Sequence, residues 1–144
     1  MKIFYTDASA SKKRTFCLVT DSEGSYLCHQ NCNYIKKKSF LAELLGIITV
    51  IKNAYILDPT ERVVIFTDCI SSADLLTRDT CSKKQEKNQL LLLGRTLLQD
   101  NKNIDVIWIP RKSNLAGRLI TRYQRTKRKH GITRKLSKKY AFAA

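Results

Sequence analysis

At Ser39 the apolar pattern of the chain changes period, and no other feature constrains the fold as much. Before it, three runs rich in β-formers, KIFYT (2–6), TFCLVTD (15–21) and SYLCHQNCNY (25–34), are separated only by the polar turns SASKKR and SEGS. Connections this short join antiparallel strands, so the runs form a meander. After it, FLAELLGIITVIKNAYIL places Phe40, Leu44, Ile47, Ile48, Ile51 and Tyr55 on one face of a helix. Ser39 is a suitable N-cap, and Asp58-Pro59 a stop. The nearly continuous apolar run from Arg62 to Thr67 then reads as a strand buried on both faces. Residues 70–78 form a short helix, DTCSKKQEK a polar connection, and NQLLLLGRTLLQD (88–100) a second long helix. IDVIWIP (104–110) is another buried strand, closed by Pro110, and residues 114 to about 129 form a basic helix that Gly131 ends. The order β-β-β-α-β-α-α-β-α predicts an α/β fold. Its mixed sheet joins an antiparallel meander to two parallel strands, with helices on both faces.

A chain of 144 residues that is 43% apolar and 27% charged fits one globular core. No stretch approaches the roughly 18 apolar residues of a membrane span, and MKIFYTDAS is too soon charged for a signal peptide. Five irregularly spaced cysteines point to reduced thiols and a cytoplasmic protein without a membrane partner. CHQNC (28–32) lacks the second Cys/His pair that zinc requires, which favours ordinary strand cysteines. The net charge of +15 is uneven: 12 of the 27 Lys and Arg lie after Pro110, where there is no Asp or Glu. A basic tail of this density points to a polyanion, and above all to nucleic acid. It suggests a boundary between a domain over 1–123 and a basic C-terminal extension over 124–144.

Two β-rich runs, IFYTDAS and VVIFTDCI, stop at Thr-Asp. If these strands lie parallel and adjacent, Asp7 and Asp68 project at one carboxyl edge, where open α/β sheets bind ligands. Glu43 is the only charged residue from Ser39 to Ile51 and borders the apolar helix face. Singly, the aspartates read as turn caps and Glu43 as a solvated helix charge. Together they would repel one another unless a hard divalent cation sat among them. Two such ions about 4 Å apart clamp the attacking and leaving oxygens of a phosphodiester.

These segments resemble the ribonuclease H family, type 1, within the wider ribonuclease H-like superfamily. IFYTDAS looks like its first-strand motif, FLAELLGI like its first helix with a metal-binding Glu, and VIFTDCISSADLL like its fourth strand and following helix. VIWIPRKSNLAGRLI looks like its last strand, basic Asn-bearing loop and closing helix. The likeness spans roughly residues 2 to 122 and implies a ribonuclease H-like five-stranded mixed sheet. It also implies that Asp7, Glu43 and Asp68 are catalytic metal ligands for Mg²⁺ or Mn²⁺. The implied activity is metal-dependent endonucleolytic hydrolysis of the RNA strand of RNA–DNA hybrids. The alternative is a non-catalytic ribonuclease H-like module that binds nucleic acid. Ser9, Arg111, Lys112, Asn114, Arg118, Arg122, Arg125 and Lys129 are the expected nucleic-acid contacts.

Two departures from the family stand out. Residues 79–88 are too short for the basic helical protrusion with which some members grip the hybrid; the stripe Arg118, Arg122, Arg125 and Lys129 can serve instead. The family's fourth acid follows Ala116, and here that residue is Gly117. His130, the only later residue able to imitate a ligand, lies about 20 Å farther along the helix axis.

Overall fold

A computed structural model of the protein describes residues 1–35, 39–86 and 88–130. Five strands, β1 (Lys2–Ala10), β2 (Thr15–Thr20), β3 (Tyr26–Asn31), β4 (Val63–Thr67) and β5 (Ile104–Trp108), form one sheet in the order β3-β2-β1-β4-β5. The meander pairs β1 with β2 and β2 with β3 antiparallel, while β4 runs parallel to both β1 and β5. Helices α1 (Ser39–Leu57), α2 (Ile70–Thr77), α3 (Lys83–Glu86), α4 (Gln89–Asp100) and α5 (Leu115–His130) make up the rest of the regular structure among the described residues, with single 3₁₀ turns at Asn33–Ile35 and Arg111–Ser113.

The two faces of the sheet carry separate cores. On one, Leu44, Ile47 and Ile51 of α1 meet Val63 and Ile65 of β4, Ile104 and Val106 of β5, and the apolar sides of α2 and α4. Gly94 permits close approach there, since a Cβ on it would stand 2.6 Å from Leu76 Cδ2. On the other face α5 is the one helix among the described residues, with Ala116 and Ile120 buried against Phe16 and Leu18 of β2. The β2–β3 turn braces its start: Gly24, at φ +82°, has a bare Cα onto which Leu115 packs. Farther along, Arg14 donates to the Tyr123 hydroxyl at 2.6 Å, and Gln124 donates to Ser9 Oγ at 2.9 Å. The helix continues through the expected boundary after Tyr123.

Three expectations from the sequence are corrected. Strand β1 does not stop at Thr6. Ala8 continues the strand opposite Cys17, and Ser9 and Ala10, read as the start of the turn SASKKR, still pair with β2 through Ser9↔Phe16 and Ala10↔Thr15, so the turn shrinks to residues 11–14. Strand β5 is not buried throughout, because it is the sheet edge: Ile107 is 41% and Trp108 44% exposed. The polar connection after α2 holds one helical turn, α3. The side chains of Lys129 and His130, and everything from Gly131 onward, lie outside the described residues.

Candidate active site

The register of β1 on β4 assembles the acidic pair. Thr6 is paired with Thr67, so the next residues, Asp7 and Asp68, leave the two strands side by side on the same face. The pairing ends there: β4 gives way to the turn into α2, whereas β1 runs on beside β2 alone. That leaves the Ala8 N–H without a β4 partner, and Glu43 Oε1, reaching over from α1, accepts it at 3.2 Å. Asp7, Glu43 and Asp68 thus each present a carboxylate oxygen within 4.8 Å of the others.

Asp7 and Glu43 are buried and Asp68 is half-buried. Burial, then the neighbouring Asp68 charge, pushes the Asp7 carboxyl above the ordinary carboxylate range; Arg111 acts weakly the other way. Burial, then Asp7, pushes Glu43 up farther still. Glu43 Oε2 is buried with no hydrogen-bond partner. An orphaned carboxylate oxygen facing two more carboxylates is a costly arrangement unless a cation or proton completes it.

Asp68 is held from two sides. Asn114 Nδ2 donates to Asp68 Oδ2 at 3.0 Å and to the Thr6 carbonyl at 2.9 Å, while its Oδ1 accepts the Ala116 N–H at 3.1 Å. The Trp108 indole N–H donates to the Asp68 carbonyl at 3.2 Å. Asn114, expected at the nucleic acid, is instead fully buried and hydrogen-bonded through both side-chain polar atoms. It caps α5 and ties that helix to both acidic strands. The signal for this was present, since Asn directly before a helix is a preferred N-cap. Trp108 falls within the VIWIP segment likened to the family's last strand, but nothing in the sequence pointed to its contact with Asp68.

Gly117 faces the cluster from α5, and a Cβ built on it would lie 2.9 Å from Asp7 Oδ2. Beside it, Arg111, Lys112, Arg118, Arg122 and Arg125 are exposed and line one groove with Gly117 and Thr121. Ser9 is not part of the groove lining, and its Oγ accepts a hydrogen bond from Gln124.

Residues 7–122 match the sequence profile of a family described as reverse transcriptase-like. The chain belongs to that family. Solved structures agree on a ribonuclease H-like fold for this reverse transcriptase-like protein. It is similar to the ribonuclease H1 of the halophilic archaeon Halobacterium salinarum, with TM-score 0.61 and 13% identity over 80% of this chain and 89% of that one. It is also similar to the N-terminal ribonuclease H domain of Rv2228c from Mycobacterium tuberculosis, with TM-score 0.60 and 19% identity over 82% and 88% of the two chains. The protease-reverse transcriptase of a foamy virus, solved in complex with an RNA/DNA hybrid, matches with TM-score 0.63 and 15% identity over 84% of this chain and 19% of that longer one. No curated protein sequence matches significantly.

Proposed function

We propose that this protein is a metal-dependent endonuclease acting on the RNA strand of RNA–DNA hybrids, slowed by the glycine at 117. The observation that carries this reading is the orphaned Glu43 Oε2 inside a three-carboxylate cluster. The oxygen-only donor set suits a hard ion, Mg²⁺ or Mn²⁺. In octahedral Mg²⁺ sites opposite ligands at about 2.1 Å stand roughly 4.2 Å apart, so closing from 4.8 Å needs only small side-chain movements. Asp7, Glu43 and Asp68 would hold the ion. Bound there, such an ion lowers the pKa of a water and neutralises charge developing on the phosphoryl oxygens.

The remaining chemistry belongs to the chain itself. Asn114 fixes the rotamer of Asp68, so that its carboxylate need not reorganise during reaction. Arg111 biases Asp7 toward its charged, ligating form. The exposed cations of α5 and the preceding 3₁₀ turn would neutralise substrate phosphates as they approach the acids. The foamy viral relative was solved with an RNA/DNA hybrid, which makes that duplex the first substrate to test. Five free thiols suit a reducing cytoplasm, and among the described residues no helix is long and apolar enough to cross a membrane.

Gly117 favours a second reading, a nucleic-acid-binding module without catalysis, because it leaves no fourth carboxylate beside Asp7. Cleavage of an end-labelled hybrid across Mg²⁺ and Mn²⁺ titrations, with Asp68→Asn as the blank, separates the two. Metal-dependent cutting that the blank lacks supports the hydrolase. Tight binding by both proteins with no cutting at any metal concentration leaves the binding module.

A further inference from the structure

The groove on α5 bears on how substrate meets the carboxylates, which the conversion itself leaves open. Its rim carries Arg111, Lys112, Arg118, Arg122 and Arg125, and no acid lines it. No Asp or Glu follows Asp105 in the chain, and among the described residues none of the five cations is in an ion pair. Elsewhere on the surface some cations are matched, Arg62 with Asp105 and Arg78 with Asp74; what sets the groove apart is that five unpaired cations share one cleft. Five like charges along one cleft repel one another, and an extended polyanion relieves that repulsion.

The helix that carries three of them is held in a defined orientation. Ala116 and Ile120 bury its inner side, and Arg14–Tyr123 and Gln124–Ser9 fix its roll. Arg118 is steadied further by donating to the Lys112 carbonyl at 3.0 Å, which locks the two banks of the groove together. Arg118, Arg122 and Arg125 therefore face outward in a row about 10 Å long at 1.5 Å rise per residue. Planar guanidinium groups at this spacing suit successive phosphates of one backbone better than they suit an isolated anion.

The inner end of the groove decides where that backbone leads. Gly117 belongs to the groove lining, and the same residue faces Asp7 closely enough that a Cβ would crowd its carboxylate. With hydrogen alone at this position, Gly117 stands between the groove it lines and the Asp7 carboxylate it faces, and no side chain of its own separates the two. We propose that the α5 groove is a single-strand phosphodiester track: it holds one strand's backbone by its phosphates, independently of sequence, and delivers that strand past Gly117 to the carboxylates. This rests on the nucleic-acid reading above and specifies which part of the substrate the site takes.

The test is made in EDTA, so that binding is read without cleavage. The probe is a short fluorescein-labelled RNA–DNA hybrid, titrated by anisotropy over a range of salt concentrations. Arg122→Ala/Arg125→Ala should weaken binding about tenfold or more and lower the log–log salt slope by nearly two units, at about 0.9 per lost phosphate contact. Lys84→Ala/Lys102→Ala removes as much charge from surfaces outside the groove and should leave the slope unchanged. Methylphosphonate linkages, which neutralise phosphates, should weaken binding when placed in one strand and not in its complement, and only in the protein with an intact groove. An unchanged slope in the groove variant, an equal fall in the control, or equal sensitivity of both strands overturns the track. If the hybrid is cut while binding ignores the groove, this inference alone falls. If binding follows the groove and no metal supports cutting, the hydrolase reading alone falls.

Discussion

The carboxylate cluster and the α5 groove meet at Gly117, and each crowds charges of one sign. They carry that crowding in opposite ways. The acids are withdrawn from water, and that burial, followed by their mutual repulsion, drives Asp7 and Glu43 toward their protonated forms. The cations stand in solvent, where screening makes their repulsion tolerable and easily relieved by a counter-charge. A compact, dehydrated anion cluster selects a small hard cation; an open, hydrated cation row selects a long flexible anion. The two regions are opposite in charge and in hydration.

Removing the residue that joins both regions should have the largest effect on the folded protein. Asn114 is buried and links Thr6, Asp68 and the start of α5. Asn114→Ala loses an N-cap and leaves the Thr6 carbonyl short of a donor. It should cost about 2–4 kcal/mol in urea denaturation. It should also weaken metal-dependent protection more than groove-dependent binding. Equal loss of both would mean that the two regions form a single unit.

A smaller change is expected from restoring an acid at the junction. Gly117→Asp should raise hybrid cleavage about tenfold and lower the metal concentration required, by holding a second ion more firmly. Without metal the same substitution should destabilise, although glycine in a helix interior costs up to about 1 kcal/mol against alanine. The contact with Asp7 Oδ2 and a fourth like charge outweigh that gain. Melting in EDTA and in Mn²⁺ should therefore shift in opposite directions relative to the native protein. Loss of stability in both would show that the position cannot accept a side chain.

The smallest effect is on pH dependence, and it belongs to the cluster alone. Burial raises the folded-state pKa of Asp7 and Glu43, so the folded protein binds these protons more tightly than the unfolded chain does. Their contribution to stability is then fully present below the ordinary carboxylate range near pH 4 and is lost as the pH rises above it, first as Asp7 ionises and then Glu43. A divalent cation reverses the loss, so the rise in Tm with Mn²⁺ should be greater at about pH 8 than at about pH 5.5. Glu43→Gln should raise the metal-free Tm at neutral pH by a few degrees, the effect of roughly 1 kcal/mol, and shrink the metal response. A metal response that does not change with pH would remove the acids from the ion site.

Much of the site was legible in the chain because its acids interrupt strong local patterns. Asp7 and Asp68 end apolar strand runs, and Glu43 is the single charge in a long apolar stretch. Such interruptions stand out in any reading of periodicity. Asn114 was misread because, next to Arg111 and Lys112, it looks like one more polar loop residue. Its burial follows from where α5 packs rather than from its neighbours in sequence. The strength of Ala8–Ala10 as strand was invisible for a similar reason: Ala-Ser-Ala has little β-propensity, and the β2 ladder supplies what the residues lack.

By itself, the sequence determined the order and type of the main elements, the meander, and the three acids at the ends and faces of those elements. Each is a demand that a residue makes of its immediate surroundings, and periodicity records such demands directly. Tertiary structure decided which strand is an edge, where β1 truly ends, and that one buried asparagine joins Thr6 across 108 residues of chain. It also decided that the bare Cα of Gly117 faces Asp7 at the mouth of the basic groove. These are contacts between distant segments, set by how whole faces pack, and no local pattern carries them.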